Sequence, residues 1–338
     1  MPDHQPDQRG PVLFLVLLAM VALIVIAWGV GENGANGEPS RGESSRGEPP
    51  PVVPSPSAVE PGAAPAPSDV EQSAGVVPAL PGGGTKVFAD NHFLVAYYGT
   101  GQTSALGVLG ETDPDTMDRR LHRAARPFRQ PGQPVRHVYE LIVTIADGYP
   151  GKDGDYSHDI PRSEVRRYIR AAHRNDALLL LDIQPGRTSF LEAAKRWEWA
   201  LRDPWVGLAL DPEWRMGPRQ VPAHTVGQVR AGEVNRTSGW LARIAREDGL
   251  PQKLFVLHQF RVDMIERIGQ VKKRPELAMV QHVDGFGTPR QKLATYHAVA
   301  RPKQFAMGFK LFYDEDVRRM QSRAVHAVRP KVRFVSFQ

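Results

Sequence analysis

Downstream of Thr85, apolar residues fall in eight short runs, and the stretches between them repeat their apolar positions every three to four residues. The runs are HFLVAYYG from His92, VYELIVTIAD from Val138, ALLLLDIQ from Ala177 and VGLALDPEW from Val206. KLFVLHQF from Lys253, LAMVQHVDG from Leu277, FAMGFKLFYD from Phe305 and VRFVSFQ from Val332 complete them. Runs this short and this apolar predict strands buried on both faces, the signature of parallel strands. The intervening segments carry helix start signals. Thr112-Asp113-Pro114 opens DTMDRRLHRAARPF, Asp159 caps PRSEVRRYIRAAHRND, Thr188 or Ser189 caps SFLEAAKRWEWALRD, and Thr288 precedes Pro289 in TPRQKLATYHAVA. NRTSGWLARIARED and DEDVRRMQSRAV are two further helical segments. Eight such units in about 250 residues predict an α/β fold, a (β/α)8 barrel, over residues 86–338. An open doubly wound sheet is the competing arrangement. It expects a Gly-rich phosphate loop after the first strand, and Gly99-Thr100-Gly101 alone does not make one.

Upstream the pattern is different. Val12 to Val30 is apolar throughout, long enough as a helix to match a bilayer core of roughly 30 Å. It ends at Trp28 and Gly29 without a clear small-residue cleavage site, so residues 1–30 read as an uncleaved signal anchor, a transmembrane helix. Residues 31–85 are rich in Gly, Pro, Ser, Ala and Glu, with few large aliphatics and no aromatics, which predicts a disordered stalk. The expected localisation is a single-pass membrane protein with its C-terminal domain outside the cytoplasm, or a secreted protein if the N-terminal segment is removed.

Composition narrows the chemistry. The 338 residues contain no cysteine, which excludes disulfides, thiolate metal sites and a cysteine nucleophile. Lys and Arg number 43 against 37 acidic residues, and the basic residues are scattered, so no nucleic-acid partner is expected. A G-x-S-x-G elbow and a Walker loop are absent, and nothing in the sequence asks for a cofactor.

In a (β/α)8 barrel the chemistry gathers where the strands end. The first run ends in Tyr97 and Tyr98, the second in Asp147, the third in Asp182 and Gln184. Asp211 and Glu213 end the fourth, and His258 and Gln259 the fifth. Gln281, His282 and Asp284 end the sixth, and Lys310, Tyr313 and Asp314 the seventh. The opposite ends are mostly apolar or plain loop, and this one-sided polarity points to an active site. Strand side chains alternate, so Asp211 and Glu213 share a side with Gly207 and Ala209, while Leu208 and Leu210 face the helices. Two carboxyls so close cannot both ionise cheaply, and one protonated acid beside one carboxylate is what glycosidic cleavage requires. The candidate catalytic residues are Glu213, Asp211 and Asp182. Candidate substrate-binding residues are Tyr97, Asp147, Gln184, Trp214, His258, Gln259, Gln281, His282, Asp284, Lys310 and Tyr313.

LALDPEW resembles the Asp-x-Glu that ends strand four in barrel glycoside hydrolases of the chitinase and lysozyme types. The resemblance implies that Glu213 is the general acid and that Asp211 orients the substrate. The additional aspartates of the chitinase signature are replaced by Val206, Gly207 and Ala209, and Pro212 stands between the two acids. LLLLDIQPG, LALDPEW and GFKLFYD are also similar to segments of exported bacterial barrels. Together these readings predict a glycoside hydrolase acting on an envelope or extracellular polysaccharide, with a polysaccharide or glycan as ligand. A non-catalytic glycan- or protein-binding barrel is the alternative.

A metal-dependent hydrolase is a further one, with His258, His282 and Asp284 as ligands. Its usual His-x-His on strand one is absent, since that strand ends Ala96-Tyr97-Tyr98, so no metal is assigned. Asp153, Asp155, Ser157, Asp159 and Glu164 fall near calcium-loop spacing, but His158 occupies the place of the turn-forming glycine, and an acidic surface loop is the better reading. Trp197 and Trp240 lie in helical segments and are expected to pack on the barrel.

Overall fold

Every apolar run forms a strand. The computed structural model describes residues 77–338. Within it lie β1 (Phe93–Gly99), β2 (Val135–Ala146), β3 (Leu178–Ile183) and β4 (Val206–Leu210), then β5 (Lys253–Gln259), β6 (Leu277–Val283), β7 (Ala306–Leu311) and β8 (Val332–Phe337). Neighbours in sequence pair in parallel, and β1 pairs with both β2 and β8, which closes the ring. The predicted eight-stranded barrel is thus present. The N-terminal span predicted over residues 12–30 and the stalk up to residue 76 lie outside the described residues. Among the described residues no helix is long and apolar enough to cross a membrane.

The helices are α1 (Pro114–Ala125), α2 (Arg162–Arg174), α3 (Phe190–Lys195), α4 (Glu198–Leu201), α5 (Ala231–Glu247), α6 (Pro289–Val299) and α7 (Ser322–Ala327). Asp113 caps α1 by accepting from the Asp115 and Thr116 amides at 3.1 Å. Ser189 caps α3, and Thr288 forms a capping box with Gln291 on α6. The cap expected from Asp159 is not formed. Asp159 lies in a short strand, Ser157–Asp159, that runs antiparallel to the end of β2. Its carboxylate accepts from Thr144 and Arg196, and α2 starts after Pro161 instead. The single helix expected after β3 is broken into α3 and α4, and two 3-10 turns and a two-residue strand, Ile265–Glu266, link β5 to β6.

Alternation along the strands sorts the apolar residues into two packed layers. Leu94, Ala96, Val138, Leu180, Ala209, Val256, Val280 and Phe334 fill the inside of the ring. Leu208, Leu210 and their counterparts face outward against helical residues such as Met117, Tyr168, Phe190 and Tyr296. Trp197 and Trp240 are buried in this outer layer, and the Trp197 indole donates to Thr144 Oγ1 at 3.0 Å. At the N-terminal ends of the strands, Leu80 and Val87 plug the ring. The inward-facing Arg136 of β2 holds this plug through the carbonyls of Val87 at 2.6 Å and Gly83 at 3.1 Å. The Trp205 indole donates to the Ala79 carbonyl, so the stalk expected to run to Thr85 joins the folded body several residues earlier.

Candidate active site at the barrel mouth

Above the apolar filling, seven of the eight strands deliver a buried polar side chain to the interior. β1 supplies Tyr98, β2 Glu140, β3 Asp182, β5 His258, β6 His282, β7 Lys310 and β8 Ser336. Asp211 follows β4 directly. The alternation that puts Ala96, Leu180, Ala209, Val256 and Val280 inside brings these residues inside as well. Gly308, on β7, makes room for one of them: a Cβ there would lie 2.5 Å from Cδ2 of the His282 ring.

One half of the ring is a closed ion cluster. Asp284 takes Nδ1 of His258 on one oxygen and Nδ1 of His282 on the other, both at 2.7 Å. Nε2 of His258 lies 3.0 Å from Glu140 Oε1, and Lys310 Nζ is 3.5 Å from Asp284 and 3.6 Å from the Tyr98 ring centre. Burial opposes a charge on His258, but Asp284 and Glu140 outweigh it and hold its pKa well above the ordinary value. With a carboxylate at each nitrogen, His258 is an imidazolium. Burial alone would raise Asp284, yet His258 and Lys310 pull it well below the usual carboxylate range. Burial lowers His282, which stays neutral, and Ser336 Oγ sits 3.2 Å from its Nε2.

The other half is acidic. Asp182, Asp211 and Glu213 sense one another and all lie near Lys310 and His258. Burial pushes Asp182 up to about 6, with Glu140 adding to it. Burial, then Glu213 and Asp182, raise Asp211 well above the ordinary range. Burial raises Glu213 to about 7, and Asp284 adds to the rise. Glu213 stands in a 3-10 turn, Pro212–Trp214, and is half-buried. Its carbonyl accepts from the Gly227 amide at 2.6 Å, and a Cβ on Gly227 would meet that oxygen and the Arg215 backbone at 2.6–2.7 Å. Only glycine lets the following loop close on the turn this tightly. Arg215 ties the same turn to Glu233 at 3.0 Å and to the Arg187 carbonyl at 3.2 Å.

The structure brings together Asp182, Asp211, Glu213, His258, His282, Asp284 and Lys310. Gln184 joins them, its amide donating to the Tyr98 hydroxyl at 3.3 Å. Trp214 is half-buried in the Glu213 turn. Other candidates stand elsewhere. Tyr97 faces outward, its hydroxyl 3.3 Å from that of Tyr313 and its ring against Phe337. Gln259 and Gln281 follow or precede an inward histidine and therefore point away from the ring. Gln281 donates to Gln259 at 2.7 Å and to the Val299 carbonyl at the end of α6. Asp147 pairs with His158 at 2.7 Å beyond the rim, because β2 is 12 residues long and overshoots the ring. The residue of β2 in register with Tyr98 is Glu140, which an analysis of strand ends passes over. Its signal was a lone carboxylate inside an apolar run. Tyr98 and Ser336 were legible only through parity.

His258, His282 and Asp284 are close enough to share one metal ion, their ligand atoms lying within 4.8 Å of one another. Both histidines, however, spend Nδ1 on Asp284, and the Lys310 ammonium stands beside that carboxylate, so the set fits a hydrogen-bonded clamp better than a metal cage. The acids of the Asp153–Glu164 loop likewise have protein donors. Asp155 accepts from Ser157 and Thr188, and Asp159 from Thr144 and Arg196.

No protein-family model matches the chain, and no curated relative does. Among solved structures the chain is similar to a trimodular GH5_4 subfamily endoglucanase, at 12% identity and a TM-score of 0.39, over 65% of this chain and 47% of that one. It therefore spans about half of the endoglucanase's length. It is also similar to a dihydrodipicolinate synthase from Bacillus clausii, at 10% identity and a TM-score of 0.30, over 66% of this chain and 62% of that one.

Proposed function

We propose that the protein is a glycoside hydrolase-like barrel that cuts an envelope or extracellular polysaccharide by carboxylate acid/base catalysis. Glu213 is the general acid, and Asp211 or Asp182 is the second carboxylate. The observation that carries this reading is the convergence of three carboxyl groups with raised pKa values at one barrel mouth, of which Glu213 reaches furthest toward solvent. A carboxylic acid that titrates near 7 still holds a transferable proton at neutral pH. Glu213 gives that proton to the glycosidic oxygen as the bond to the anomeric carbon breaks. The ionised partner then either bonds to that carbon or takes a proton from the attacking water. Residues 12–30 would hold the barrel at the outer face of the membrane by way of the stalk.

Reducing-end release from wall and extracellular glycans by Glu213→Gln tests the assignment. The variant is expected to lose all measurable hydrolysis while melting no lower than the parent, since Gln reproduces the shape of the protonated acid. A fully active variant overturns it.

A further inference from the structure

The five carboxyl groups of the mouth are unevenly matched by cations. Glu140 and Asp284 flank His258 at 3.0 and 2.7 Å, and Lys310 adds a second cation 3.5 Å from Asp284. Asp182, Asp211 and Glu213 have no basic side chain at ion-pair distance among the described residues, and Lys310 and His258 act on them only from further away. Oδ1 of Asp182 and Oδ1 of Asp211, on residues that are 0% and 1% exposed, are enclosed acceptors without a hydrogen-bond partner; the Glu140 oxygens lack one too, but have the His258 ring at 3.0 Å to oppose their charge. The Tyr98 hydroxyl holds the other Asp182 oxygen at 2.8 Å and so fixes which way the free one faces. A buried carboxylate oxygen without a donor is costly, and so is a second like charge beside it.

A hydroxyl would satisfy the oxygens but leave the charges unopposed. A single metal ion fits less well. Among the described residues, the group of three ligating side chains close enough to share one ion is His258, His282 and Asp284, in the half that already has its cations. A protonated amine meets both requirements, since it donates up to three hydrogen bonds and carries the missing charge.

We propose that the Asp182–Asp211 side of the mouth is a subsite for an ammonium group, so that the substrate is a polysaccharide with free, unacetylated amino groups. This rests on the hydrolase reading above for the cleavage, though not for the binding. The amine also divides the labour at the site. An ammonium between Asp182 and Asp211 keeps both ionised, which leaves Glu213 as the member that holds the proton. Binding then drives protons from the aspartates into solvent.

The test is calorimetric titration of the full chain at about pH 7 in two buffers of different ionisation enthalpy. The probes are glucosamine and galactosamine oligomers, their N-acetylated forms and the corresponding neutral hexose oligomers. At least one free-amine oligomer is expected to bind about tenfold or more tighter than its acetylated counterpart, equivalent to about 1.4 kcal/mol, with net proton release. In Asp182→Asn/Asp211→Asn that preference should fall below about threefold, and the release should vanish. Asn mimics the protonated acids, so the double variant is expected to fold, and its melting curve checks that it has.

No amine preference in either series, a preference that survives in the double variant, or stoichiometric calcium or magnesium binding that excludes the amine each overturns the proposal. Reducing-end release from the same probes separates it from the hydrolase reading. Amine-selective binding without release from any probe sinks the hydrolase and leaves the subsite, whereas release from neutral or acetylated probes alone does the reverse.

Discussion

Replacing Asp182 by Asn should make the protein more stable at neutral pH, by an amount that depends on pH. Burial, and next Glu140, raise the Asp182 carboxyl from 3.8 to about 6 in the fold, and unfolding returns it to the ordinary value. The difference is about two units, and at 1.36 kcal/mol per unit it amounts to about 3 kcal/mol. Between about pH 4 and 6 the folded chain binds more protons here than the unfolded chain, so this group's contribution makes stability fall as pH rises through that window. Asn does not ionise and still offers an oxygen to Tyr98. The variant should therefore match the parent near pH 3.5 and exceed it by about 3 kcal/mol near pH 7.5. In melting temperature the gain is on the order of 5–10 °C for a domain of this size. A difference between the two proteins is needed because His137, which burial depresses to about 3, acts in the opposite direction over the same range. Urea unfolding of both proteins, followed by tryptophan fluorescence at several pH values, supplies it. A gap that is constant with pH, or a variant weaker than its parent near pH 7.5, would refute the account of Asp182 as a strained buried acid.

Other outcomes follow from the same geometry. On substrates that are cut, kcat/KM should decline about tenfold per pH unit above about 7 as Glu213 loses its proton; a profile flat to about pH 9 would exclude that acid. His258→Ala removes the cation between Glu140 and Asp284 and should cost about 3–5 kcal/mol in urea unfolding, while a loss under about 1 kcal/mol would mean that the imidazole is not charged. Arg136→Met frees the carbonyls of Gly83 and Val87, should cost about 1–3 kcal/mol, and should speed protease cleavage near residues 77–87 without changing kcat. Unchanged cleavage there would show that the floor holds without the guanidinium.

The barrel was legible because its strands are apolar on both faces, which leaves little doubt about where each begins. The two-residue alternation also carried Asp211 into the ring, whereas Glu213 reaches the mouth from a 3-10 turn beyond the strand, which parity does not describe. The same rule separates His258 from Gln259 and His282 from Gln281, and grouping residues by strand end blurred that distinction. Strand length was the second gap. β2 runs past the rim on the support of an antiparallel partner far shorter than itself, so its inward-facing carboxylate, Glu140, lies six residues before its last residue, Ala146. The pairing of His258 with both Glu140 and Asp284 depends on three different strands and leaves no local trace in the chain. The early start of the folded body rests on Leu80, in a Pro- and Gly-rich stretch whose composition gives no hint of a core position.

Leu80 and Arg136 close the end of the barrel away from the acids, and Ala79 joins the folded body at that closed end. The barrel mouth, with its acidic cluster, opens at the opposite end of the ring. On the proposed reading, a ligand therefore enters from the side opposite the point where the chain joins the folded body, as into a cup standing on its base.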